Sequence, residues 1–177
     1  PRREAEATRG TTCDALVEAI DLAPTFLDVA RGAPADHILE GRSLIPYLHG
    51  QPTTDRDVAI SEYDYSATPQ CVALGLSPKD ARMFMVFDGR YKLIHFEGGF
   101  RPMLFDLQTD PQEFNDLGKT TSHQSDIDRL YTHLATWGRR MSQRVTRSDA
   151  QIIASRGKSG RKGIVPFLKD GSEAPAE

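Results

Sequence analysis

Residues 82–116 read RMFMVFDGRYKLIHFEGGFRPMLFDLQTDPQEFND. The runs 82–87 and 90–96 are dense in aromatic and aliphatic side chains, which fit a pleated, half-buried surface. Between them Asp88-Gly89 tolerates the positive φ of a type I′ turn. Gly98-Gly99 supplies a second turn into residues 102–107. The spacing predicts a three-stranded antiparallel meander. In its middle strand Tyr91, Leu93 and His95 point one way and Lys92, Ile94 and Phe96 the other, because side chains alternate across a strand. One face should pack on a core and the other should be partly wet. Beyond it, Asp110-Pro111-Gln112-Glu113 reads as an N-cap, a first-turn proline and a capping-box glutamate. Leu117-Gly118 should stop that helical turn.

Downstream, Ile127, Leu130, Leu134, Trp137, Met141 and Val145 recur at steps of three and four within residues 122–145, an amphipathic helix. Its apolar stripe should cover the meander and bury Trp137. Gly138 inside it costs roughly 1 kcal/mol against alanine, which suggests a close backbone neighbour there. Upstream, residues 14–20 suit a short strand. Asp21 is placed to cap a helix running to Ala30, with Leu22, Phe26, Leu27 and Val29 as its buried stripe. Residues 43–48 suit a brief helical turn, and residues 58–63 a further strand. Residues 64–80 carry turn chemistry throughout (Ser66, Pro69, Gly75, Pro78) and read as a surface loop.

The chain has 177 residues, 38% hydrophobic and 27% charged, enough to bury a core as one globular unit. No apolar run reaches the length of a membrane span, and no signal peptide is visible. The chain begins at Pro1, as a piece of a longer protein would. Two cysteines, Cys13 and Cys71, make neither a disulfide framework nor a CxxC, so a cytoplasmic location is expected. The net charge of −3 conceals a segregation. Residues 1–138 hold 13 Lys/Arg against 21 Asp/Glu, whereas residues 139–169 hold nine against Asp149 alone. An acidic body therefore carries a basic arm. The expected division is residues 1–50, the end of a main α/β domain; 51–145, a sheet-plus-helix subdomain; and 146–177, the arm.

Several stretches resemble one family. AIDLAPTFLDVA at 19–30 and LEGRSLIPYLHG at 39–50 are similar to the late portion of the sulfatase group of the alkaline phosphatase superfamily. DGRYKLIHF at 88–96 and LFDLQTDPQEFNDL at 104–117 resemble the C-terminal subdomain of the same group. SEYDYSA at 61–67, FEGGFRPMLFDL at 96–107 and WGRRMSQRVTRSDA at 137–150 resemble bacterial phosphonate monoester hydrolases and their arylsulfatase relatives. The resemblance covers residues 14–170 and implies an α/β fold, α+β within this stretch: the C-terminal part of an alkaline-phosphatase-like enzyme. It implies a parent that cleaves phosphonate monoesters, phosphodiesters or sulfate esters. Such a parent uses a divalent metal (Mn, Ca or similar) and a formylglycine made in a Cys-x-Pro-x-Arg motif.

This chain departs from the pattern where the chemistry lies. Cys13 is followed by Asp-Ala-Leu-Val and Cys71 by Val-Ala-Leu-Gly, and Asp36-His37 continues into Ile38 rather than Gly. No catalytic, cofactor-binding or metal residue is therefore assigned to it. His37, His49, His95, His123 and His133 show no metal-ligand spacing and read as structural or surface residues, with His95 the most interesting beside an aromatic cluster. Glu62 and Asp64, sharing a face, suggest paired carboxylates for acid–base work, though a solvated edge explains them more simply. Tyr63 and Tyr65 are candidates for the mouth of the parent's pocket. Gly157-Lys158-Ser159 fails the Walker pattern, which needs a glycine where Ile152 stands.

The expected partners are the upstream catalytic portion of the same enzyme and a second copy reached through the basic arm, with no nucleic acid and no membrane. The expected function is bracing the parent hydrolase and its subunit contacts. The alternative is a non-catalytic interaction module.

Overall fold

The computed structural model describes residues 8–51, 53, 56–140 and 148–154. Four strands, β1 (Ala59–Asp64), β2 (Arg82–Phe87), β3 (Tyr91–Phe96) and β4 (Met103–Asp106), form one antiparallel sheet in the order β1-β2-β3-β4. The expected meander is present, and residues 59–64 extend it by a fourth strand. The rest is helical: α1 (Leu22–Val29), α2 (Ile45–Leu48), α3 (Pro69–Ala73), α4 (Gln124–Gly138) and α5 (Asp149–Ala154), with short 3-10 turns between.

Register places Ile60, Val86, Leu93 and Leu104 side by side on one face. That face meets Ile127 and Leu130 of α4. Val86, Leu93, Leu104 and Leu130 are fully buried, and Val58, Leu117, Tyr131 and Leu134 close the margin. The i, i+3, i+7 spacing of Ile127, Leu130 and Leu134 turns one helical stripe onto the sheet. Tyr91 and His95 share this face: the Tyr91 ring lies 6.1 Å from His123, and the His95 ring 5.5 Å from Tyr131.

The hairpin between β2 and β3 is centred one residue later than the dipeptide suggested. Gly89 alone takes a positive φ, 94°, and the Asp88 carboxylate accepts the amides of Arg90 and Tyr91 at 2.9 and 2.6 Å. Asp88 thus supplies its side chain, and the turn pair is Gly89-Arg90. At the next turn both Gly98 and Gly99 have positive φ, 80° and 83°.

Several expectations are corrected. Residues 14–18 form no strand; the Glu18 carboxylate, accepting the Ile60 amide at 2.6 Å, ties the stretch to β1 instead. Asp110–Glu113 is a turn and not a helical start, because Glu113 sits at φ 59° and sends its carboxylate to Lys92 Nζ at 2.8 Å. The 3-10 turn at Leu117–Lys119 follows, capped by Asp116, which accepts from the Gly118 amide. Residues 64–80 are more than a loop. They hold α3 and, with the adjoining Ala81 and Met83, build a second small core around Tyr65, Cys71 and Leu76. Helix α4 ends at Gly138, which has no close backbone neighbour among the described residues; Met141 and Val145 lie outside them. Trp137 is only half-buried, edge-on to Phe84 at 6.0 Å with the Arg140 guanidinium 4.0 Å over its ring. It sits at the last turn of α4, where the helix leaves the sheet.

The largest correction concerns α1. Its predicted apolar stripe faces outward, with Leu22, Phe26 and Val29 exposed to 47, 66 and 58%. The buried side carries Pro24 and Thr25. Thr25 Oγ donates to the Asp21 carbonyl at 2.6 Å and accepts the Leu44 amide at 2.9 Å, so hydrogen bonds fix which side turns inward.

Candidate functional site

Asp21, read from sequence as a helix cap, is instead a buried charged node. Its side chain makes no cap bond to α1 and is 2% exposed. Oδ1 accepts from Arg56 Nη2 at 2.7 Å and the Arg42 amide at 2.8 Å, and Oδ2 from Arg56 Nη1 at 3.0 Å and the Glu18 amide at 2.8 Å. Arg56 also meets Glu18 at 3.1 Å, and Glu18 accepts the Ile60 amide at 2.6 Å. The network thus clamps the N-terminal layer onto the outer edge of β1. Gly41 fits the same junction because a Cβ there would lie 2.0 Å from the Ile20 carbonyl oxygen. Burial alone would raise the Asp21 carboxyl, but the Arg56 fork and the two amides together hold it below the ordinary range.

Between this layer and α4 lies a cleft of about 1,110 Å³ lined by Ile20, His37, Val58, His133 and Trp137 among others. The Arg140–Glu40 ion pair lies within it. On the opposite face of the sheet is a second, more apolar groove of about 540 Å³. Tyr63 and Tyr65 line it, with rings stacked 6.3 Å apart, alongside Met83, Phe96, Phe100 and Met103. The sequence pair Tyr63 and Tyr65 therefore does line a concavity.

The other candidates are placed as follows. Glu62 and Asp64 both reach Arg82 at 3.6 Å on the exposed β1 edge. Hydrogen bonds from Ser66, then the charge of Arg82, keep the Asp64 carboxyl below its usual range, which suits an ionised surface group rather than a proton donor. His95 Nδ1 lies 3.0 Å from the Tyr131 hydroxyl, and Nε2 lies 3.7 Å from Glu97. Burial, then the Glu97 charge, push the Tyr131 phenol up. His123 pairs with Asp126, His49 follows α2, and His37 and His133 line the large cleft. Among the described residues no group of three or more His, Cys, Asp or Glu is arranged to hold a metal ion. Cys13 is exposed and Cys71 buried, its thiol 3.4 Å from the Leu76 carbonyl. Gly157-Lys158-Ser159 lies outside the described residues. No helix among the described residues is long and apolar enough to cross a membrane.

Four buried or half-buried aspartates titrate low, which fixes the acid limit. Arg90 holds Asp106 down to about 2 through a bond of 2.8 Å, against the opposing effect of burial. Asp21, Asp88 and Asp116 are also lowered; for these burial is the largest influence and is outweighed by amides and by Arg56, Arg129 and Arg101. A carboxyl with a depressed folded pKa stabilises above its unfolded pKa, about 3.9, and loses that contribution as pH falls through the folded value. The urea midpoint is therefore expected to drop as pH falls from about 4 toward 2. A midpoint that held or rose over that window would contradict these ion pairs.

The sheet, its covering helix and the clamped N-terminal layer form a mixed α and β unit of the sulfatase group in the alkaline phosphatase superfamily. The chain belongs to the family described as N-sulphoglucosamine sulphohydrolase, C-terminal, whose model matches residues 3–140. The phosphonate monoester hydrolase SpPMH from Silicibacter pomeroyi superposes with a TM-score of 0.64 at 31% identity, over 71% of this chain and 26% of that one. PehA, a multifunctional alkaline phosphatase superfamily protein of Trinickia caryophylli, is 35% identical over 105 residues, covering 56% of this chain and 20% of its own length. An ulvan-active sulfatase of Formosa agariphila is 25% identical over 184 residues, covering 86% and 35%. The chain thus spans about a quarter of the solved relative and a fifth to a third of the curated ones.

Proposed function

We propose that this chain is the C-terminal portion of a metal-dependent hydrolase of phosphonate monoesters, phosphodiesters or sulfate esters, and that it braces the fold and the subunit contacts without supplying reacting groups. Residues 1–50 would complete the main α/β domain, residues 51–145 form a bracing subdomain, and residues 146–177 reach a neighbouring copy. The observation that carries this is the bare face of α1. Leu22, Phe26 and Val29 stand exposed on a helix whose other side is locked by hydrogen bonds. Burying each such side chain stabilises by about 1.5–3 kcal/mol. An apolar stripe of this kind is the form an internal helix takes when its covering layer belongs to another part of the protein. The upstream catalytic portion is that layer.

Family members generally use a divalent metal and a formylglycine. The described residues here do not fit either group. No metal-binding cluster is formed, and neither Cys13 nor Cys71 stands in a Cys-x-Pro-x-Arg motif. No step is therefore assigned to this chain through them. The two unpaired cysteines support a reducing, cytoplasmic setting.

The test has two parts. The purified chain, given an aryl phosphonate ester and manganese, should stay at background, whereas the longer reading frame should turn over. Phe26→Asp should leave the urea midpoint of the 177-residue chain nearly unchanged, within about 0.5 kcal/mol as for an exposed site. In the longer protein the same change should destabilise by more than about 2 kcal/mol, since it buries an unpaired charge. Turnover by the short chain that tracks the protein peak would sink this reading. So would a Phe26→Asp effect equal in both forms.

A further inference from the structure

The groove on the sheet's open face has no role in the clamp or in the core that α4 covers. Strand register builds it. Tyr63 opposes Met83, which opposes Phe96, so these three side chains share the face that α4 leaves bare. Tyr65 and Phe100 add a further ring on either side: Tyr63 and Tyr65 stack with 20° between their planes, and Phe96 meets Phe100 edge-on. Tyr63 is 53% and Phe100 42% exposed, although both are large rings. The volume, about 540 Å³, is that of a site for a small molecule.

A second observation shows what the groove lacks. Tyr65 is only 7% exposed, yet it lines the groove, and its hydroxyl has no hydrogen-bond partner among the described residues. Thr68 bonds only the Tyr65 carbonyl, at 2.7 Å. The hydroxyl is not sealed inside the protein, as the unpartnered Glu40 Oε1 is. A buried phenol ordinarily finds a partner, and its hydroxyl can both donate and accept. The groove is the opening through which such a partner would come.

Charge narrows the ligand. Arg101 stands at the rim, but its guanidinium meets the Asp116 carboxylate at 2.6 Å and donates to the Pro102 carbonyl at 3.0 Å. Glu62 and Asp64 fall on the α4 side of β1 by the same alternation that brings Tyr63 to the groove. Among the described residues the groove thus offers an ion no free counter-charge, and the cost of desolvating one there would stand uncompensated. Shape narrows the ligand further. β1 and β3 lie two strand spacings apart, about 9–10 Å. Tyr63 and Phe96 therefore stand across Met83 with room for one flat ring, which needs a contact of about 3.5–4.0 Å on each side. A saturated ring, thicker by a layer of hydrogens on each face, fits less well.

We propose that the groove binds a small neutral molecule built on one aromatic ring that carries a hydroxyl. The ring lies over Met83 between Tyr63 and Phe96, and the hydroxyl meets that of Tyr65. The site is independent of the hydrolase reading, because it is complete in this chain.

The experiment titrates the full 177-residue chain with p-cresol, toluene, 4-methylcyclohexanol and p-toluenesulfonate, read by NMR shift changes. Tyr65→Phe and Phe100→Leu are titrated alongside, with far-UV circular dichroism confirming their fold. p-Cresol is expected to bind saturably and at least threefold more tightly than the other three. Tyr65→Phe should weaken p-cresol about three- to tenfold, the effect of one hydrogen bond, and leave toluene unchanged. Phe100→Leu should weaken both aromatic ligands at least twofold. Absence of saturable p-cresol binding overturns the proposal, as does tighter binding of the sulfonate or of the saturated alcohol. An equal effect of Tyr65→Phe on p-cresol and toluene also overturns it. So does binding that neither variant alters, which would put the ligand in the Trp137 cleft instead.

Discussion

Replacing Asp21 with alanine is expected to cost about 3–5 kcal/mol, the range for removing one partner of a buried ion pair. The side chain is almost wholly enclosed and receives four hydrogen bonds, two from Arg56 and one each from the Glu18 and Arg42 amides. Its loss leaves both amides without acceptors and Arg56, whose side chain is only 12% exposed, with Glu18 alone. Because Glu18 stays opposite Arg56, the cost lies in the orphaned amides and the lost fork rather than in a bare cation. A double variant, Asp21→Ala with Arg56→Leu, should be less stable than Asp21→Ala alone, because it leaves the Glu18 carboxylate, 15% exposed, without its cation. Urea unfolding of the two variants against the parent chain checks both statements. A loss below about 1 kcal/mol for Asp21→Ala, or a double variant no worse than the single, would show that the node is not what clamps the N-terminal layer.

Leu93→Ala is the second large effect. Leu93 is fully buried, faces Val86 and Leu104 across the sheet and packs in one core with Ile127 and Leu130. Neighbours on three strands and a helix cannot collapse together into the space, so both the transfer and the cavity contributions apply, about 2–5 kcal/mol. A small domain has about 5–15 kcal/mol in all. A shift of this size should be visible in the denaturant midpoint with an unchanged slope. Ile94→Ala, one residue along on the half-buried opposite face, should cost clearly less. Equal costs at the two positions would mean that the faces are assigned the wrong way round.

The alternation Tyr91-Leu93-His95 against Lys92-Ile94-Phe96 was legible in the sequence because a strand's period is two and its flanking turns are short. The stripe Ile127, Leu130, Leu134 was legible because a helix's period is near 3.6. Such patterns record local geometry, and local geometry follows from the backbone. The pattern on α1 was equally legible but misled. Leu22, Phe26 and Val29 do form a stripe, yet periodicity says only that one side is apolar, not that anything in the same chain covers it. The capping signature at Asp110–Glu113 failed for a related reason: Lys92, 21 residues away, draws the Glu113 carboxylate that the cap would have used.

The sequence by itself determined the meander, its second turn at Gly98-Gly99, its inward face, the helix that covers it and the absence of a Cys-x-Pro-x-Arg motif. All of these depend on residues adjacent in the chain or one period apart. Only the tertiary structure decided that Asp21 is a clamp rather than a cap, since Arg56 lies 35 residues further along the chain. It likewise decided that Tyr63 and Tyr65 share a groove with Phe96 and Phe100, since strand pairing alone brings those rings onto one face. Contacts between distant residues are set by packing and by which buried charges find partners, and neither leaves a period in the sequence.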